Sequence, residues 1–313
     1  MFPAISVLDV ESVIGQIPVI GIGLALIGAL FMSLGAQFQH RGVDRIEESH
    51  GTGERGDGLS VRQILLLLRR PTWVLGTLLL ALAIGLQLTA LGFAPLIVVQ
   101  PLGVVALVIT ALVNARVSRV RLKAPALRAI GLCVGGVAIF VTVATFVATE
   151  HPVEQPQLIV ILVILVVVLG LLATAFALFR NRAGAIFYII SAGVLYGFVA
   201  TLAKVVINRL GNELAGMTQG HVEWLTIVCI VGMLAAAALG GYFVQTAYSV
   251  GSPDLVIAGL TVIDPLVAIS IGIVVLGEAS EAPWWAIPVW MLAGALAVIG
   301  VFQLAKHHPQ THR

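Results

Sequence analysis

Charge is what this sequence has least of. Only 10% of its 313 residues are Asp, Glu, Lys or Arg, while 59% are hydrophobic. A water-soluble domain usually carries about 25% charged residues. Too little polar surface is available to face water, and a mean hydropathy of +1.08 points to lipid as the main solvent. The basic residues form no block with interleaved aromatics, which leaves nucleic-acid binding without support. There are two cysteines, Cys133 and Cys229, both inside apolar runs. They read as small hydrophobes, without disulfide or metal-ligand spacing. Catalytic signatures are also missing: no Gly-x-Ser-x-Gly, no Walker loop and no His-Glu-x-x-His. No enzyme and no cofactor are therefore expected, and a self-contained ATP-driven pump is disfavoured. Residues 1–16 hold Asp9 and Glu11 but no Lys or Arg, unlike a cleaved signal peptide. The first apolar run is expected to be a retained helix.

What is abundant is long apolar runs. A helix needs about 20 such residues to cross the hydrocarbon. Nine runs qualify, at 17–39, 72–92, 95–115, 126–148, 157–179, 185–208, 222–247, 254–276 and 285–305. Pro71, Pro95, Pro125, Pro156, Pro253 and Pro283 stand at their boundaries. The expected fold is an all-α membrane protein of about nine transmembrane helices. Residues 46–58 read as a mobile loop, and 59–70 as an interfacial segment or an inward extension of the second helix.

Orientation follows from the basic residues. Arg41, Arg45, Arg55, Arg62, Arg69 and Arg70 lie in one loop, and Arg116, Arg119, Arg121, Lys123 and Arg128 in another. Arg180 and Arg182 follow the fifth run, and Lys306 and Arg313 close the chain. A nine-span threading puts all of these on one side. Of the seventeen Lys and Arg, only Arg209 falls opposite and Lys204 lies within a span. The expectation is a multi-pass cell-membrane protein with an external N-terminus and a cytoplasmic C-terminus.

A shift of about 164 residues brings several features into register. Gln100-Pro101-Leu102 falls on Asp264-Pro265-Leu266, Asn114 on Glu278, and Gly136-Val137 on Gly300-Val301. Gln87 resembles Gln245 at a different offset. The expected organisation is a first half (1–149), a spacer helix (150–180) and an inverted second half (181–313). Inverted repeats are an architecture of secondary transporters, with the site near the bilayer midplane.

Ionisable groups inside a bilayer are costly and need a reason. Asp264, near the middle of the eighth run, reads as a coupling carboxylate that binds a proton or cation. Asp264-Pro265 also has the form of an N-cap before a helix-initiating proline. Gln100-Pro101 has the same form, so Pro101 and Pro265 are expected as helix breaks. Lys204, Thr201 and Tyr196 are candidates to line the path, with Gln37 as a counterpart in the first run. Lys204 also has a bland reading, snorkelling to the interface. His40, next to Arg41, reads as an interfacial residue. Gln87 and Gln245 read as helix-bridging amides or as lining.

These residues carry a resemblance. RPTWVLGTLLLALAIGLQLTALGFAPLIVVQPLGVVALVITALVNARV resembles the third and fourth helices of the drug/metabolite transporter (EamA-like) superfamily. QTAYSVGSPDLVIAGLTVIDPLVAISIGIVVLGEAS resembles them again, with Leu276-Gly277-Glu278 matching a characteristic helix ending. AGALAVIGVFQLAK is similar to the closing helix. Within the superfamily, APLIVVQPLGVVALVITALVNA looks most like the NIPA-type magnesium transporter branch, which also has about nine helices.

The resemblance implies a secondary transporter that moves a small solute or ion by alternating access. Asp264 and Gln100 would contact the substrate, and Asp264 would be the metal contact if that substrate is Mg²⁺. Magnesium flux is one alternative, and a non-transporting membrane scaffold is another. The partners expected are the lipid bilayer and a small-molecule or ion substrate, with no nucleic acid. A homodimer stays open.

Overall fold

In the computed structural model, residues 7–50, 71–117, 123–179, 184–214 and 224–306 are described. Among these residues every regular element is helical. Among the described residues, nine helices are long and apolar enough to cross a membrane: Pro18–Gln39, Pro71–Phe93, Leu96–Arg116, Ala124–Val147, Gln155–Leu178, Ala185–Gly211, Trp224–Val250, Pro253–Val274 and Ala286–Lys306. Helices are the expected answer to lipid, because each satisfies its own backbone hydrogen bonds. The chain is a multi-pass membrane protein.

The first span belongs to a longer helix, Val7–His50. The expected loop at 46–58 is therefore helical through His50, and its remainder, like 59–70, lies outside the described residues. The third span is interrupted. Leu96–Val99 is α-helical, Gln100–Leu102 forms a 3₁₀ turn, and Gly103–Val117 resumes the α-helix. Pro101 lacks an N–H for the regular ladder, and a tighter turn accommodates it.

The eighth span corrects an expectation. Pro253–Val274 runs as one helix straight through Pro265. No break occurs there, and Asp264 is not an N-cap. Proline removes one backbone donor, and a helix packed against neighbours tolerates that loss.

Small residues set the packing. Gly35 of the first span faces the second so closely that a Cβ there would lie 2.9 Å from the Gly76 carbonyl oxygen. The fourth and ninth spans meet in a reciprocal contact. A Cβ on Gly136 would come within 2.6 Å of the Ala293 oxygen and the Ala297 nitrogen. One on Gly300 would meet the Cys133 nitrogen at 2.5 Å and the Ala129 oxygen at 2.9 Å. Cys133 and Ala297, whose side chain and carbonyl approach to 3.7 Å, are 164 residues apart. Each contact is the image of the other under that shift, the relation a two-fold axis produces. Gly136→Leu should cost about 1–3 kcal/mol by overpacking, and Gly300→Leu a similar amount. Thermal unfolding in detergent reads both, and a large effect at one position with none at the other would contradict the reciprocity.

The fifth span packs Leu158, Ile161 and Leu165 into the core and turns its other face outward. Val163, Val166, Val167 and Leu171 are all exposed, as suits a lipid-facing crossover.

Candidate functional site

A cavity of about 400 Å³ lies among the first, second, third, sixth and eighth spans. Its apolar wall includes Met32, Leu91 and Leu260, and its polar groups are Gln87, Gln100, Tyr196, Asp264 and Thr261, whose hydroxyl is bonded back to the Ile257 carbonyl at 2.7 Å. The interrupted third span delivers Gln100, which is only 7% exposed. Glycines on the sixth span deliver Asp264. A Cβ on Gly193 would lie 2.7 Å from the Ile263 side chain, and one on Gly197 2.6 Å from that of Val267. The eighth span therefore seats directly on the sixth, and Asp264 falls between the two contacts.

Asp264 Oδ1 is buried and has no hydrogen-bond partner among the described residues. A buried oxygen of this kind usually has one. Leaving it unsatisfied costs about 1–3 kcal/mol.

A second recess of about 400 Å³ opens behind the first. It is lined by Gly92, Glu150, His151, Lys204, Asn208 and Glu278, among others. The two spaces are back to back. Leu91 and Ala203 line the cavity, and their chain neighbours Gly92 and Lys204 line the recess.

The recess side of the wall between them is ionic. Lys204 Nζ donates to the Ala94 carbonyl at 2.9 Å and to Glu150 Oε1 at 2.6 Å. It lies 3.4 Å from Glu278 Oε1. Glu278 in turn accepts backbone N–H bonds from Leu96 at 2.8 Å and Ile97 at 2.9 Å. Those are free donors at the start of a helix, where a carboxylate is also favoured by the helix dipole. Lys204 is 3% exposed and Glu278 2%. Lys204 is therefore buried, and its ammonium is spent on the Ala94 carbonyl, the buried Glu278 and the half-exposed Glu150.

Local structure explains how Glu278 gets there. The chain leaves the eighth span and turns at Gly277, whose φ of +73° favours glycine. The Glu278 amide then bonds back to the Gly272 carbonyl at 3.0 Å. Gly272 must also be small, because a Cβ would lie 2.7 Å from Glu278 Oε2.

The remaining expected residues fall elsewhere. Thr201 is fully buried, and its hydroxyl bonds back to the Gly197 carbonyl at 2.9 Å. Gln37 donates to Asn114, and nearby Thr110 donates to Ser33 at 3.0 Å, so these residues join the first and third spans. Gln245 is exposed on the seventh span, outside the cavity. No side-chain geometry is described for His40. Glu278 and Glu150 were not expected as site residues. The signal for Glu278 was present in the glycine just before an acidic residue at a helix end.

Among the described residues, nine apolar helices surround a largely apolar cavity that holds a few polar groups, an architecture that suits a membrane transport protein. The profile of the family described as "Magnesium transporter NIPA" matches residues 16–308, and the chain belongs to that family. It is a membrane transporter. An uncharacterized protein of Corynebacterium glutamicum is similar to it, 28% identical over 290 residues that cover 92% of this chain and 94% of the relative. No solved structure gives a significant match.

Proposed function

We propose that the protein carries Mg²⁺ across the cell membrane by alternating access, with Asp264 as the ion's contact. The observation that carries this reading is the Asp264 Oδ1 atom, without a hydrogen-bond partner among the described residues, beside a cavity within the bundle whose mainly apolar lining holds only a few polar groups. Mg²⁺ dehydrates reluctantly and is usually bound through one or two carboxylates while keeping several waters. One carboxylate with Gln87, Gln100 and Tyr196 around it suits an ion that arrives hydrated. A shell of six waters at about 30 Å³ each takes up about 180 Å³. The cavity, at about 400 Å³, has room for it.

Two inverted halves, 1–149 and 181–313, would rock about the cavity, with 150–180 as the spacer. The reciprocal contact of Gly136 and Gly300 supports this organisation. The distribution of Lys and Arg supports a cytoplasmic C-terminus, which makes the Glu150 and Glu278 end of the bundle external.

The test is Mg²⁺ uptake into proteoliposomes loaded with a magnesium-sensitive dye. Asp264→Asn is expected to lower uptake at least tenfold, and Asp264→Glu to retain part of it. Wild-type rates in Asp264→Asn would remove Asp264 from the mechanism. A wild-type protein that moves no Mg²⁺ would sink the substrate assignment.

A further inference from the structure

The ionic wall joins parts of the chain that are far apart. Lys204 is on the sixth span and Glu278 follows the eighth, but their partners Ala94, Leu96 and Ile97 form the turn from the second span to the third. Its bonds run from residues of the second half to residues of the first. The counterpart at the other end of the bundle behaves differently. A 164-residue shift takes Asn114 to Glu278, yet Asn114 is bonded to Gln37, within its own half.

We propose that Lys204, Glu278 and the Ala94–Ile97 turn are the external gate of the transport path, closed in this structure. The proposal rests on the cavity being the transport site. Opening requires Lys204 to leave the Ala94 carbonyl and Glu278 to leave the two backbone N–H groups, so the wall parts along the seam between the halves. Glu150 fits the role of a relay. It is the solvent-facing partner, with its side chain 40% exposed, and it holds Lys204 at 2.6 Å. As the gate opens, Lys204 can stay with Glu150 and Glu278, so its charge is never left bare. A cation entering the external recess favours this step, because it draws the Glu278 carboxylate away from the Leu96 and Ile97 N–H groups.

Two measurements test the gate without touching Asp264. The first uses a cross-link. A Cβ on Gly92 would lie 3.3 Å from Ile207 Cγ2, so cysteines at both positions are placed for a disulfide between the second and sixth spans. Both native cysteines, Cys133 and Cys229, are first replaced with alanine. Oxidising Gly92→Cys/Ile207→Cys should cut Mg²⁺ uptake at least tenfold, and a reductant should restore it. Each single variant should be indifferent to oxidant. The second measurement is labelling of Ala200→Cys, in the cavity wall, by a membrane-impermeant maleimide from outside. Lys204→Met should raise that labelling several-fold over the parent.

Full uptake by the cross-linked protein overturns the gate, and so does external labelling that Lys204→Met leaves unchanged. Labelling does not depend on the ion. A wild type that moves no Mg²⁺ but shows the labelling change would refute the substrate and keep the gate.

Discussion

Lys204→Met is expected to cost about 3–5 kcal/mol of stability, the usual loss when one partner of a buried ion pair is removed. Two carboxylates face Lys204, and distance alone would rank Glu150 first, at 2.6 Å against 3.4 Å for Glu278. Burial reverses the order. The Glu150 side chain is 40% exposed and water can solvate it when the lysine goes, whereas the Glu278 side chain is 3% exposed. Glu150→Gln should therefore cost no more than about 1 kcal/mol, as exposed pairs do. Adding Glu278→Gln to Lys204→Met should return only part of the loss. The glutamine removes the stranded charge, but its NH₂ group faces one of the backbone N–H donors that the carboxylate served. Thermal unfolding of the two single variants and the double variant gives the coupling energy directly. Strictly additive costs would mean that Lys204 and Glu278 do not interact.

The spans were legible in the sequence because hydropathy over some twenty residues is a bulk property. The bilayer demands it of every crossing segment, and no tertiary detail can hide it. Asp264 and Gln100 were legible for a related reason. A polar side chain in the middle of such a run has no cheap explanation, and both do line the cavity.

What stayed hidden were partners. Glu278 closes the Leu276-Gly277-Glu278 helix ending, which marks the position but not its partners, and the turn at Gly277 folds it back into the protein. Glu150 sits among polar loop residues. The pairing of Lys204 with both depends on contacts between distant segments that no local window contains. Proline misled in one case and informed in the other. Pro101 coincides with a tightened turn, while Pro265 is carried through an intact helix, and the difference lies in the packing around each. Polar residues on one helical face also divided. Thr201 and Lys204 share a face that does not line the cavity: Thr201 returns its hydroxyl to its own helix and Lys204 reaches into the wall.

Asp264→Asn should abolish ion-dependent stabilisation without weakening the empty protein. A ligand that binds only the folded state stabilises it by about 2.7 kcal/mol at a concentration one hundred times its Kd. Saturating Mg²⁺ should therefore raise the wild-type unfolding temperature by several degrees. Asparagine keeps the shape of the side chain and removes the anionic oxygen that competes with water for the ion, so this increment should vanish. The ion-free baseline should hold, because Asp264 Oδ1 has no hydrogen bond among the described residues for the substitution to break. In this respect Asp264 differs from Glu278, whose two oxygens are committed to the fold. Ca²⁺ supplies the matching control. It takes six to eight oxygen ligands and binds best where the protein provides most of them. A cavity with one carboxylate, two amides and a phenol should stabilise the protein less with Ca²⁺ than with Mg²⁺ at equal concentration. Equal stabilisation by both ions in Asp264→Asn and wild type alike would place cation binding outside this cavity.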